Sequence, residues 1–174
     1  RKCAFSIANL LDPPDFAEWV RRGMTPDRRG FEIYHRMIQQ FVEEHEDEMD
    51  LDELNAEINT RFAGVSPESY VLPRNTPAER ADALCQDAFR AYGRRRVQLA
   101  RQALGEDPAN ADACVLLAES TCNVEKRLAL LGPAKEAAAA ALGEEFDELV
   151  GDFWQVGETR PYLRICEALA IAYE

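Results

Sequence analysis

Few residues in this chain have the types and spacing that chemistry demands. His45 opens the stretch HEDEM, but Met49 stands where the second imidazole of an HExxH zinc helix would have to reach the metal. His35 and His45 lie close to three helical turns apart, too far for one ligand face. The run Glu43, Glu44, Glu46, Asp47, Glu48, Asp50, Asp52, Glu53 concentrates carboxylates without making a calcium loop. Counting from Asp50 puts Asn55 where that loop needs glycine and Arg61 where it needs its closing glutamate. A solvated helix end is the simpler reading, since crowded like charges repel unless water screens them. No Ser-His-Asp, Cys-His, phosphate-loop or dinucleotide pattern occurs. The residues therefore name no catalytic group and no metal ligand, and call for no cofactor.

Charge and composition narrow the class further. The chain has 174 residues, 20 basic against 32 acidic, for a net charge of −12, and 47% of it is hydrophobic. That is enough apolar material for a real core, which excludes a disordered chain. Arginines cluster twice, at Arg21, Arg22, Arg28, Arg29 and at Arg94, Arg95, Arg96. No aromatics interleave with them and the overall charge is negative, so nucleic acid is disfavoured and pairing with the chain's own acids is expected. No apolar run approaches the length of a membrane span. The 5 cysteines are scattered and form no CxxC pair, which predicts reduced core thiols and a cytoplasmic setting. The chain opens on Arg1 with no signal pattern, so its natural N-terminus is expected upstream.

Helical periodicity runs almost throughout, and strand patterns are nearly absent. Asp15 to Arg22 predicts a short helix. Asp27 to Glu48 carries Phe31, Tyr34, Ile38, Phe41 and Val42 at helical spacing, and Asp50 to Phe62 aligns Leu51, Leu54, Ile58 and Phe62. Residues 1–63 thus form an N-terminal helical hairpin, and the segment GVSPESYVLPRNT at 64–76 reads as a linker. Thr76-Pro77-Ala78-Glu79 is a capping box with proline at the first helical position. Helices are then expected at Pro77 to Tyr92, Arg94 to Leu104, Ala111 to Thr121, Val124 to Leu142, Glu144 to Gln155 and Pro161 to Glu174. A kink or break is expected at Pro133, because proline lacks the amide that would bond the carbonyl of Ala129. The fold class is all-α.

Short helices joined by short turns are the signature of stacked helix pairs. The segment RRRVQLARQALGEDPANADACVLLAES resembles a tetratricopeptide repeat, with Ala103-Leu104 ahead of Pro108 and Leu117-Ala118 in the next helix. Leu169-Ala170 with Tyr173 resembles the same first-helix pattern again. FWQVGETRPYLR, from Phe153 to Arg164, is similar to uncharacterised bacterial proteins of that family. The resemblance covers residues 77–174 and implies an antiparallel helix-pair array, an α-α superhelix. Its last helix would lack a partner, so the array is expected to be truncated, and the face of Leu163, Leu169 and Ile171 becomes a candidate contact with a second copy.

The resemblance also implies a function: a non-enzymatic scaffold presenting a concave helical surface to a protein or peptide. Groove positions carried over are Asp112, Val115, Glu119, Arg164 and Glu167, to which Trp154 and Arg160 beside the last helix are added. Most of the groove positions are acidic, which favours a basic or apolar segment as partner. A rival class is an enzyme, or a regulatory enzyme subunit, with a carboxylate and histidine pocket near Trp19, Tyr34 and His35. That reading requires Glu32, Glu43 or Glu57 to be buried beside His35 or Tyr34 in a closed cleft.

Overall fold

A computed structural model describes residues 29–66 and 69–173; the helix expected at Asp15 to Arg22, and with it Trp19, Arg21, Arg22 and Arg28, falls outside that range. Every described element is helical and the fold is all-α. The chain divides into two compact units, Arg1–Tyr70 and Val71–Glu174.

In the first unit, α1 (Gly30–His45) and α2 (Leu51–Phe62) form a hairpin. Ile33, Tyr34, Met37, Ile38 and Phe41 on α1 recur at three and four residues, so they share one face, and they are buried against Leu54, Ile58 and Phe62 of α2. The Phe62 ring meets Tyr34 edge-on at 6.3 Å and Phe41 at 5.8 Å. Asp50 starts α2 by accepting the amides of Asp52 and Glu53, each at 2.9 Å, while the Glu53 carboxylate accepts the Asp50 amide at 3.2 Å. Three of the eight clustered acids therefore work as a helix start, where carboxylates satisfy orphan amides and face the positive end of the dipole. α1 stops at His45 rather than Glu48, because Glu46, Asp47 and Glu48 form the turn that leads into this cap.

The second unit is a layered array of helix pairs. α3 (Pro77–Arg90) and α4 (Gly93–Glu106) make the first pair, α5 (Ala111–Glu119) and α6 (Val124–Leu142) the second, and α8 (Arg160–Tyr173) packs on both α5 and α6. Between α6 and α8 lie the single turn α7 (Glu145–Glu148) and a short 3-10 turn at Gly157–Thr159. Thr76 caps α3 through the expected box: its Oγ1 accepts the Glu79 amide at 3.2 Å and its own amide donates to Glu79 Oε2 at 3.1 Å. Close stacking depends on small residues. Ala81, Ala88, Ala100, Ala103 and Ala113 are each fully buried, around Leu99, Cys85 and Leu116. With only a methyl group at each contact the helix backbones approach closely, and any larger side chain would have to push them apart. A second cluster, Ala111, Cys114, Val115, Ala118, Leu131, Ala134 and Ile165, joins α5, α6 and α8.

Two sequence expectations are corrected here. Of the kink or break expected at Pro133, the break does not occur: α6 runs through it continuously, with the neighbouring Leu131 and Ala134 anchored in that second cluster and Pro133 itself exposed. Tertiary packing and an alanine-rich continuation outweigh the one missing backbone bond. The helix expected at Glu144 to Gln155 is reduced to α7, followed by turns through residue 155. Gly143 and Gly151 hold φ values of +59° and +104°, left-handed conformations that only glycine adopts cheaply, and they bracket the segment.

Candidate functional site

α3, α5 and α8 lie side by side, and polar side chains tie them together. Asn110 caps α5 by accepting the Ala113 amide at 3.0 Å, its Oδ1 also accepts the Cys85 thiol at 3.3 Å, and its Nδ2 donates to Asp82 of α3 at 2.9 Å. One residue thus starts a helix and docks it onto its neighbour. Asp112, at the start of the same helix, receives both Nε and Nη2 of Arg164 on α8, at 2.7 and 3.0 Å. The fork geometry of arginine matches a carboxylate, which makes this a directional link as well as a charge pair.

These bonds decide the fate of the residues carried over from the resemblance. Asp112 and Arg164 are spent on each other. Val115 is corrected from groove to core: it is buried with Ala111, Ala118 and Ile165, because α8 covers that side of α5. Glu119 pairs with Arg96, which turns it toward α4 and away from the α3–α5–α8 face. Glu167 is exposed on α8.

Trp154 and Arg160 do come together. The Arg160 guanidinium lies 4.2 Å from the Trp154 ring centroid, and its Nη2 donates to the Trp154 carbonyl. The loop is held from behind. Phe146, Phe153 and Tyr162 make a three-way edge-to-face cluster with centroids 5.1 to 5.8 Å apart, and the buried Thr159 hydroxyl donates to the carbonyls of Phe153 and Val156. Burial pushes the Tyr162 hydroxyl above its ordinary pKa, with Cys166 adding to the shift. With its neighbours fixed in this way, Trp154 is presented 65% exposed. Farther along α8, Ile171 and Tyr173 are also open, at 58% and 75%, while Leu163 and Leu169 are half-buried.

The arginine cluster at the start of α4 was expected to pair with the chain's acids. Among the described residues that holds for Arg96, bonded to Glu119 and lying 5.8 Å from the Phe89 ring, but not for Arg94, Arg95 or Arg101, which have no ion pair. A cleft of about 890 Å³ opens beside them, lined by Gly93, Arg94, Arg96, Val97, Gln98, Arg101, Gln102 and Ser120. The signal was present in the chain: no carboxylate stands between Asp87 and Glu106, a stretch holding Arg90, Arg94, Arg95, Arg96 and Arg101.

In the first unit, the Tyr34 hydroxyl donates to the Phe62 carbonyl at 2.8 Å, and burial raises its pKa. His45 is a structural residue: it stacks on Phe41 at 4.2 Å, and its Nδ1 donates to the Phe41 carbonyl at 2.8 Å. Glu32 is buried, whereas Glu43 and Glu57 face solvent. Glu43 and Glu44 accept the side-chain amides of Gln39 and Gln40 at 3.2 and 2.9 Å.

The fold defines the class, an all-α array of antiparallel helix pairs. Comparison with family models, with curated proteins and with solved structures returns no match for the chain.

Proposed function

We propose that the chain is a non-enzymatic interaction scaffold of tetratricopeptide-like architecture, and that it offers its helix surface to a protein or peptide segment. The observation that carries this reading is the exposed Trp154, held under the Arg160 guanidinium by a loop that is itself pinned. Tryptophan and arginine dominate the energetics of protein interfaces, because each contributes large contact area with little conformational freedom left to lose. A rigid aromatic on an otherwise acidic chain favours a basic or apolar segment as the partner.

Affinity capture from the source cell with the native chain and with Trp154→Ala tests it. A protein retained by the native chain and depleted about tenfold or more by the variant supports the reading. Identical captured sets overturn it, provided both chains melt at the same temperature. The rival enzymatic reading has one buried acid in its favour, Glu32, but the Tyr34 hydroxyl it would use is already committed to the Phe62 carbonyl.

A further inference from the structure

We infer that the cleft along α4 is a second binding site, separate from the Trp154 surface, and that it takes a short acidic peptide segment of another protein. Arg94, Val97, Gln98 and Arg101 follow one another at three, four and seven residues, so they form one outward stripe, opposite the buried Leu99, Ala100 and Ala103. The stripe faces an open cleft of about 890 Å³ that Ser120 also lines. Two of its guanidinium groups, those of Arg94 and Arg101, carry no ion pair among the described residues, although the chain has a 12-charge acidic excess from which to supply one.

The lining selects peptide over other anions. Gln98, Gln102 and Ser120 combine donors and acceptors, which suits the alternating N–H and C=O groups of an extended backbone. Val97 adds an apolar contact between the arginines. No aromatic ring lines the cleft to stack a base, and a long polyanion would meet the field of the whole acidic chain. A short segment lies within one Debye length of the arginines, about 8 Å at physiological salt, and so responds to them rather than to the net charge. From Gly93 to Gln102 the helix rises about 14 Å, which about four residues of extended peptide would span. Bidentate arginine contacts to glutamate or aspartate side chains would fix its register.

The test is fluorescence anisotropy of a labelled glutamate-rich peptide against the full chain, with the glutamine-substituted peptide as neutral control. Binding of the acidic peptide alone is expected, weakening as salt rises. It should drop about tenfold or more in Arg94→Glu/Arg101→Glu and by a smaller factor in Arg94→Gln/Arg101→Gln, which keeps the fold without reversing charge. Trp154→Ala should leave this affinity unchanged, so the outcome is independent of the scaffold reading above. Equal binding of both peptides, or undiminished binding by both arginine variants, overturns the inference. Tighter binding of a single-stranded oligonucleotide of equal charge overturns it in favour of nucleic acid. Salt-reversible dimerisation in sedimentation, abolished by the same variants and without peptide binding, overturns it in favour of a second copy.

Discussion

Arg164 on α8 grips Asp112 on α5 through the Nε and Nη2 of its guanidinium, across 52 residues of chain, with only 16% and 15% of the two side chains left exposed. A half-open pair would contribute little, but this one is largely withdrawn from water and its geometry is bidentate. It is the polar counterpart of the Ile165 contact beside it, and together they fix how α8 lies on the array. Replacing Arg164 by Ala is expected to destabilise the chain by about 2 kcal/mol, because it strands a mostly buried carboxylate. Adding Asp112→Ala should recover part of that loss. Urea unfolding of the two single variants and the double variant measures the coupling, and strictly additive losses would show that the pair does not act as a unit.

The alanine contacts make a sharper prediction. Ala103 is fully buried between α3, α4 and α5, and Ala118 sits at 2% exposure between α5 and α6. Leucine at either position should cost about 1 to 3 kcal/mol by forcing packed helices apart. Thermal melting checks this. Ala140, exposed near the end of α6, is the control, and leucine there should leave the melting temperature nearly unchanged.

Alkaline pH should weaken the first unit through Tyr34. Its folded pKa is raised above the ordinary 10.0 by burial, so the folded state holds the proton that the unfolded state releases. The stabilising contribution is complete below pH 10.0 and is lost as pH rises through the folded value. Tyr34→Phe removes that pH dependence and, at neutral pH, costs about 1 kcal/mol for the lost bond to the Phe62 carbonyl. Stability measured against pH between neutral and strongly alkaline conditions distinguishes the variant from the native chain.

The cysteines should separate by rate. Cys122 is exposed and Cys85 and Cys114 are buried. Burial first, and the nearby Asp107 charge second, push the Cys114 thiol above its ordinary 9.0. An aromatic disulfide reagent near neutral pH is expected to modify Cys122 ahead of Cys85 and Cys114, and Cys114 only on unfolding, since the thiolate is the reactive form. Mass spectrometry of the labelled peptides over time gives the order. Early labelling of Cys114 would contradict its placement in the core.

Local signals carried most of the fold. The Thr76 cap and the helical spacing of Tyr34, Ile38 and Phe41 act within one or two turns of chain, so spacing alone reveals them. The continuity of α6 through Pro133 and the loss of helix over Glu144 to Gln155 were not legible, because the one depends on the packing of Leu131 and Ala134 and the other on backbone conformations at Gly143 and Gly151. The candidate sites were only partly legible for a related reason. Trp154, Arg160 and the arginine cluster can be seen in the chain, but which charges stay unpaired cannot.

Composition and periodicity by themselves determined that this chain is helical and where most of its helices begin. Only the tertiary structure decided that Arg164 would spend its charge on Asp112, that Arg96 would take Glu119, and that Arg94 and Arg101 would be left facing a cleft. Backbone preferences are settled among near neighbours along the chain. Charge pairing is settled by distances through space between residues far apart in sequence, and those distances exist only once the helices have packed.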